Sequence, residues 1–130
     1  MTRGRTPAVP EANLLCVDAD GGMSARLRAV FRGRNIEVHS ETQLDRALER
    51  FDERQFQVLL LTSRELTESD GDGIGTLELV SAKSPATQIL LLVNPGEIRM
   101  AMSALKAGTY QYSKLPIGDD ELRLLVETAL

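Results

Sequence analysis

Short apolar runs alternate with amphipathic segments along most of this sequence. The runs cover residues 14–17, 36–39, 56–61, 89–93 and 110–113, and their length and composition predict β-strands. After each run, apolar residues recur every three or four positions, which predicts a helix. Because parallel strands need crossover connections, these strand–helix pairs predict an α/β fold, a doubly wound five-stranded parallel sheet in the order 2-1-3-4-5.

Local signals refine the predicted helices. Ser40 and Gln43 form a capping-box pattern that predicts the start of the second helix. Residues 63–73 are polar and glycine-rich, so they predict a loop before the third helix. Pro95 suits the first turn of the fourth helix, because the N–H that proline lacks has no partner there. The predicted apolar face of that fourth helix comprises Ile98, Ala101, Met102 and Leu105.

The length of 130 residues fits a single domain. Residues 1–12 contain two prolines and no periodicity, so we expect a disordered tail and one domain over residues 13–130. No apolar run approaches the ~20 residues of a membrane span, and none follows the basic start as in a signal peptide. Cys16 is the only cysteine, which excludes an internal disulfide and fits a reducing compartment. We therefore expect a cytoplasmic protein.

The net charge of −4 is distributed unevenly. Residues 1–34 hold six arginines and three carboxylates, a local charge of +3. Four of these arginines fall on the first predicted helix or just after it, where they are expected to solvate its outer side. We therefore expect no direct nucleic-acid binding by this domain. His39 is the only histidine, which excludes a triad or metal site built on several histidines.

Three stretches carry a family resemblance. They are LLCVDAD in the first strand, FQVLLL in the third strand, and ALKAGTYQYSKLPIGDDELRLLVETAL over residues 104–130. Over residues 13–130 the chain resembles the receiver domain of bacterial response regulators, particularly receivers attached to sigma-54-type activators. The resemblance implies a signalling module of a two-component phosphorelay, with a transcriptional output domain attached to it or a sensor kinase as its partner.

Receivers of this family are phosphorylated on an aspartate at the end of the third strand, beside an acidic pair that holds Mg²⁺. This sequence departs from that pattern, because Asp18 falls at the first acidic position, Ala19 at the second, and Thr62 at the phosphoacceptor position. A threonine hydroxyl of ordinary acidity offers no carboxylate to form an acyl phosphate. Asp20 is a nearby second carboxylate, and two carboxylates alone give weak Mg²⁺ binding at most.

Two further family positions are altered. Val93 stands where the family has Thr or Ser, and Leu115 stands where it has Lys. Lys114 is one residue early, and neighbours in an extended segment face opposite ways, so it reaches the crevice only if this segment slips by one residue. Tyr112 occupies the position of the family's aromatic switch residue. The resemblance implies that this readout is kept, and the alternative is a tyrosine that is merely packed and half-buried.

We therefore expect a non-enzymatic, phosphorylation-independent receiver that signals by binding other proteins, with no cofactor beyond weakly bound Mg²⁺. One alternative is a phosphorylatable receiver whose acidic site has moved to Asp18, Asp20 or Asp70. Another is a small flavin- or nucleotide-binding α/β protein. That alternative needs a phosphate loop after the first strand, where the carboxylates present here would repel an anion.

Two surface features remain. Residues 68–73 resemble the front half of a calcium loop, but the far ligand is missing, so we expect a solvated loop. The face made by the fourth helix, fifth strand and fifth helix mixes apolar and charged groups, which suits pairing with a second copy of the chain. The residues expected on this face are Met100, Lys106, Tyr110, Arg123 and Leu124, beside Asp119, Asp120 and Glu127.

Overall fold

Five parallel strands form one sheet in the order β2-β1-β3-β4-β5, as the computed structural model of residues 12–68 and 73–130 shows. The predicted fold and strand order are confirmed. The calcium-loop pattern at residues 69–72 and the expected tail, except Ala12, lie outside the described residues. The elements are β1 (Ala12–Val17), α1 (Gly22–Val30), β2 (Ile36–Glu41), α2 (Leu44–Glu53), β3 (Val58–Thr62), α3 (Ser63–Glu68), α4 (Gly73–Lys83), β4 (Gln88–Val93), α5 (Ile98–Lys106), β5 (Gln111–Lys114) and α6 (Asp119–Ala129).

The central strands β1, β3 and β4 are buried on both faces because they are almost continuously apolar. Alternate residues along a strand point to opposite sides of the sheet. Leu15, Leu59 and Leu91 lie in the core cluster that α2, α4 and α5 cover, whereas Leu14 and Leu60 lie in the cluster that α1 and α6 cover. All five side chains are fully buried. A slip of one residue would exchange the two sets, so burial fixes the register.

The start of α2 differs from the prediction. β2 continues to Glu41, whose carbonyl accepts a hydrogen bond from Asp18 N–H at 2.8 Å. Ser40 therefore belongs to the strand and does not cap a helix. α2 begins at Leu44, and Gln43 at its N-cap makes no side-chain capping bond. The predicted capping box is wrong because pairing with β1 extends β2 by two residues beyond its predicted end.

The loop predicted for residues 63–73 is wrong over its first half. Residues 63–68 form α3 directly after β3, so the chain has six helices among its described residues where five were predicted. Leu66 is buried and belongs to the core cluster under α4. This single buried leucine anchors a turn of helix whose other residues are polar, which is why composition alone indicated a loop.

The start of α5 also differs from the prediction. Pro95 lies before the helix, in a turn closed by a 3.1 Å hydrogen bond from Glu97 N–H to the carbonyl of Asn94. Gly96 in this turn has φ of +88°, a left-handed conformation that interrupts a helix. Glu97 is the N-cap, and α5 begins at Ile98.

The buried face of α5 is made of small residues. Ala101 and Ala104 are fully buried against the sheet. Three larger residues were predicted to be buried but are partly exposed: Ile98 by 41%, Met102 by 55% and Leu105 by 36%. The predicted face is therefore wrong except at Ala101, because alanines let the helix lie close to the sheet and leave the longer side chains at its flank. Neither α5 nor any other helix of the described residues is long and apolar enough to cross a membrane.

Gly108, which follows α5, has φ of +120°. A Cβ there would lie 2.0 Å from Oγ and 2.9 Å from Cβ of Ser81. We expect Gly108→Ala to lower the free energy of unfolding by at least about 2 kcal/mol, because backbone strain and steric overlap add. Gly33→Ala is the matched control, since Gly33 has φ of +79° and no atom within 4 Å of its added Cβ. We expect the control to lose about 1 kcal/mol. Equal losses in urea unfolding would contradict a steric role for Ser81.

Candidate functional site

A crevice of about 290 Å³ opens where β1, β3, β4 and β5 end. Parallel strands place their carboxyl ends at the same edge of a sheet, and ligand sites of open α/β sheets lie at this edge. The crevice therefore brings together side chains that are far apart in the sequence. They are Asp18, Asp20, Gly22, Met23, Thr62, Arg64, Glu65, Asn94 and Leu115.

The two aspartates after β1 are both engaged by the backbone at the start of α1. Asp18 is buried, and its Oδ2 accepts hydrogen bonds from the N–H groups of Met23 at 2.5 Å and Ser24 at 3.3 Å. Asp20 is exposed, and its Oδ1 accepts a hydrogen bond from Gly22 N–H at 2.9 Å. Asp18 thus caps α1, where the helix dipole stabilises a negative charge.

A third carboxylate reaches the crevice from α3. Glu65 is buried, and its Oε1 accepts a hydrogen bond from the N–H of Ala19 at 3.3 Å. Ala19 is the position where the family has the second acid of its pair, so a carboxylate from another element contacts its backbone. Sequence reasoning missed Glu65 because residues 63–68 were predicted as a loop. The signal that was available is Leu66, an apolar residue placed to anchor a helical turn after β3.

Arg64 brings a positive charge into the crevice. The pKa of Asp20 is lowered first by the hydrogen bond from Gly22 N–H and, among lesser causes, by the charge of Arg64. Asp20 is therefore ionised at neutral pH. Arg64 was also missed from the sequence, where the search was confined to family positions and strand ends.

The residues present do not fit a firmly held Mg²⁺. This ion prefers several oxygen ligands in octahedral geometry. Ala19 offers no side-chain oxygen, Oδ2 of Asp18 is occupied by backbone N–H groups, and Arg64 lines the same crevice. Across residues 12–68 and 73–130, no group of three or more His, Cys, Asp and Glu side chains is arranged to hold a metal ion.

The remaining predicted crevice residues are neutral or apolar. Thr62 ends β3 and is half-buried, Val93 is buried, and Leu115 is half-buried. Lys114 is exposed and does not line the crevice, whereas Leu115 does. The crevice therefore offers a hydroxyl where the family has a carboxylate nucleophile, and an alkyl side chain where it has an ammonium group.

A buried hydroxyl beside the crevice joins the start of α3 to the turn after β4. Ser63 is fully buried, and its Oγ donates a hydrogen bond to Oε1 of Glu97 at 2.6 Å. The same Oγ accepts a hydrogen bond from Asn94 N–H at 2.9 Å. Asn94 Nδ2 lies 3.4 Å from the same Glu97 oxygen. These contacts fix the β4–α5 turn to the end of β3, and nothing in the spacing of the three residues along the sequence indicates them.

The predicted pairing face consists of α5, β5 and α6. Met100 and Tyr112 are half-buried and pack against the core cluster beneath α5, so Met100 is less available on this face than predicted. Arg123 is half-buried and lies 3.0 Å from Asp120. Of the apolar and basic residues predicted for this face, Lys106, Tyr110 and Leu124 are exposed.

Two acidic residues predicted for this face pair with arginines of α1 and of the turn that follows it. Oδ1 of Asp119 lies 2.7 Å from Nε of Arg26 in α1, and Oε2 of Glu127 lies 2.8 Å from Nη1 of Arg34 after α1. These ion pairs connect α6 to α1 and to the turn before β2. Asp119 and Glu127 are therefore less available for contacts with a second copy of the chain than the sequence indicated.

Comparison with known proteins gives concordant matches. The model of the response regulator receiver domain matches residues 14–127. The transcriptional regulatory protein ZraR of Escherichia coli O157:H7 is 32% identical over 118 residues, which are 91% of this chain and 26% of ZraR. The chain thus spans about a quarter of the length of that relative. The crystal structure of the NtrX receiver domain from Brucella abortus superposes with a TM-score of 0.76 at 24% identity, covering 90% of this chain and 97% of that one.

The caps on α1 give a testable difference between the two aspartates. We expect Asp18→Ala to lower the free energy of unfolding by about 1–2 kcal/mol, because two N–H groups at the start of α1 lose their acceptor. Asp20→Ala is the matched control and should lose less, because water replaces its exposed carboxylate. Urea unfolding of both variants at neutral pH measures the difference. A loss for Asp20→Ala as large as that for Asp18→Ala would contradict the capping role.

Proposed function

Because the chain belongs to the response regulator receiver domain family, we propose that it is a receiver that regulates through protein binding without accepting a phosphoryl group. The observation that carries this proposal is the composition of the crevice at the end of β3. Thr62 stands at the phosphoacceptor position, and Arg64 and Leu115 line the same space. The family assignment favours this proposal over the alternative of a flavin- or nucleotide-binding protein.

The proposal follows from the chemistry of acyl phosphate formation. The reaction needs a carboxylate nucleophile aligned with the phosphorus, and positive charge to stabilise the oxygens of the transition state. Thr62 has a hydroxyl of ordinary acidity, and the alkyl groups of Val93 and Leu115 stabilise no developing charge. A positive charge at Arg64 without a nucleophile does not supply the missing bond-forming group.

A relocated acidic site is disfavoured by the hydrogen bonds of the remaining carboxylates. The buried Asp18 accepts two backbone N–H groups with one oxygen, and Glu65 accepts the N–H of Ala19. Attack through Oδ2 of Asp18 would turn the oxygen that caps α1 into the bridging oxygen of an acyl phosphate, which is a poorer hydrogen-bond acceptor than a carboxylate oxygen. Asp20 is exposed and hydrogen-bonded to Gly22, so it lacks the enclosed surroundings that stabilise a transferring phosphoryl group. Asp70 lies outside the described residues.

We further propose that this receiver works within a longer transcriptional regulator. ZraR is named as such a regulator, and the matched region is 26% of its length. An output domain attached to the receiver is therefore the partner we expect in the same chain, with cytoplasmic location following from that role. A sensor kinase is a second partner class that the family supports, through docking without phosphoryl transfer.

A second copy of the chain is the further partner that we propose. Ile98, Met102 and Leu105 recur on one side of α5 and are each at least 36% exposed, and Tyr110 is 46% exposed. We call these four residues the α5 stripe. An apolar stripe rimmed by polar groups suits an isologous contact, in which the same surface is used twice. Lys106 beside the stripe and Asp120 on α6 supply charges of both signs.

A phosphodonor experiment tests the absence of phosphoryl transfer. After incubation with acetyl phosphate and Mg²⁺, intact mass spectrometry should show no covalent phosphoryl group on the natural chain. The matched comparison is the triple variant Ala19→Asp, Thr62→Asp, Leu115→Lys, which restores the acid pair, the nucleophile and the cation of the family. We expect that variant to gain the mass of one phosphoryl group. A phosphoryl group found on any residue of the natural chain would overturn the proposal.

Sedimentation velocity tests the pairing of two copies. We expect the natural chain to form dimers at high micromolar concentration, and Met102→Glu to remain monomeric because a charge would be buried in the contact. Ser103→Glu is the matched control, since Ser103 is exposed on the same helix but away from the α5 stripe. A natural chain that stays monomeric at this concentration would rule the stripe out as a dimer contact.

A further inference from the structure

We propose that Ser63, Asn94 and Glu97 form a latch that sets the position of α5, and with it the α5 stripe, in place of a bound phosphoryl group. The latch is these three residues and the hydrogen bonds between them. The inference rests on the proposed function, because it explains how a receiver without phosphoryl transfer holds its binding surface. The latch is the device that regulates the α5 stripe.

The latch satisfies a buried hydroxyl completely. Ser63 Oγ donates to the Glu97 carboxylate at 2.6 Å and accepts from Asn94 N–H at 2.9 Å, and the serine is fully buried. Hydrogen bonds to a carboxylate are stronger than those between neutral groups, and a buried partner left unpaired is costly. The start of α3 and the turn after β4 therefore separate only if the Ser63 hydroxyl and the Asn94 N–H both lose their partners.

The turn held by the latch has few other ties. Pro95 has no N–H to donate, and Gly96 adopts φ of +88°. The turn closes on itself through the bond from Glu97 N–H to the Asn94 carbonyl. Ser63 attaches this closed turn to the end of β3.

The latch fixes the first turn of α5. Glu97 is the N-cap of the helix, and its carbonyl accepts the N–H of Met100 at 3.1 Å. The side chain that binds Ser63 and the backbone that starts the helix thus belong to one residue. Ile98, the first member of the α5 stripe, follows directly. A displacement of Glu97 moves the three members of the stripe that lie on α5, because a helix shifts as a unit.

The packing of α5 against the sheet leaves much of the positioning of this helix to the latch. Ala101 and Ala104 are the fully buried residues of α5, and each contributes only a methyl group to the core, while the half-buried Met100 is a larger α5 side chain that packs on the same cluster. Small side chains interlock less with the strands beneath than leucines do, so they resist sliding less. Polar contacts at the start of α5 therefore carry more of its positioning than they do in a helix anchored by large residues.

Asn94 connects the latch to the crevice. It lines the crevice, and its Nδ2 also contacts the Glu97 carboxylate at 3.4 Å. A protein group that enters the crevice and bonds to the Asn94 side chain competes with that contact. The crevice and the α5 stripe are thus two sites that bias one element, which is the physical requirement for coupling between them.

Amide hydrogen exchange followed by NMR tests the latch at a concentration where the chain is monomeric. We expect Ser63→Ala to speed exchange in α5 by about tenfold or more relative to α1, because the turn loses its tie to β3. Thr67→Ala is the matched control, since Thr67 is exposed on the same short helix and its hydroxyl donates a hydrogen bond to the carbonyl of Arg64 at 2.9 Å. It should leave exchange in α5 unchanged.

Glu97 provides an independent pair of variants if Ser63→Ala does not fold. Glu97→Gln keeps an acceptor oxygen for Ser63 and should preserve slow exchange in α5, whereas Glu97→Ala should speed it. Unchanged exchange in α5 for both Ser63→Ala and Glu97→Ala would overturn the latch. The readout involves no phosphodonor, so a failed latch leaves the phosphodonor result standing, and phosphorylation of the natural chain would leave the exchange result standing.

Discussion

Burial of β1, β3 and β4 on both faces is the constraint on which the rest of the structure depends. Leucines alternate between two core clusters along these strands, so a slip by one residue would misplace every buried side chain. The fixed register brings the ends of the strands to one edge. Asp18, Thr62 and Asn94, which follow or end three different strands, therefore meet in one crevice although no short stretch of sequence contains them.

The same constraint explains how the fold survives changes in the chemistry of its crevice. The crevice residues lie beyond the buried parts of the strands, so replacing an acid by Ala19 or Thr62 leaves the core packing intact. Two carboxylates of the crevice have structural roles, since Asp18 caps α1 and Glu65 accepts a hydrogen bond from the N–H of Ala19. Fold and site are separable in this way because the site is grafted onto the sheet. Here the scaffold is that of the receiver family, and we propose that its crevice does not carry out the family's phosphoryl chemistry.

The sequence was sufficient for the sheet and for part of the crevice. Apolar runs define the strands, and parallel strands put their carboxyl ends together, which is why Asp18, Thr62 and Leu115 line one crevice. Glu65 was missed because its polar, glycine-rich surroundings indicated a loop, and Leu66 was the one sign of a helical turn there. The latch was not predictable, because the spacing of Ser63, Asn94 and Glu97 gives no sign of their contacts. The buried face of α5 was misjudged because periodicity ranks large apolar residues above alanines such as Ala104, although close approach to a sheet favours the small ones.

An NMR titration of backbone amides with Mg²⁺, followed by beryllofluoride as a mimic of the phosphoryl group, tests directly whether the crevice can hold a phosphoryl group. It reports on the loops after β1, β3 and β4 at once, whether or not a covalent bond forms. We expect no saturable shifts at Asp18, Thr62 or Asn94 in either step, because Ala19 stands at the position of a metal ligand and Thr62 at the position of the carboxylate that the mimic requires. Saturable shifts at these three residues on addition of beryllofluoride would contradict it and would establish a receiver whose phosphoryl site survives in altered form.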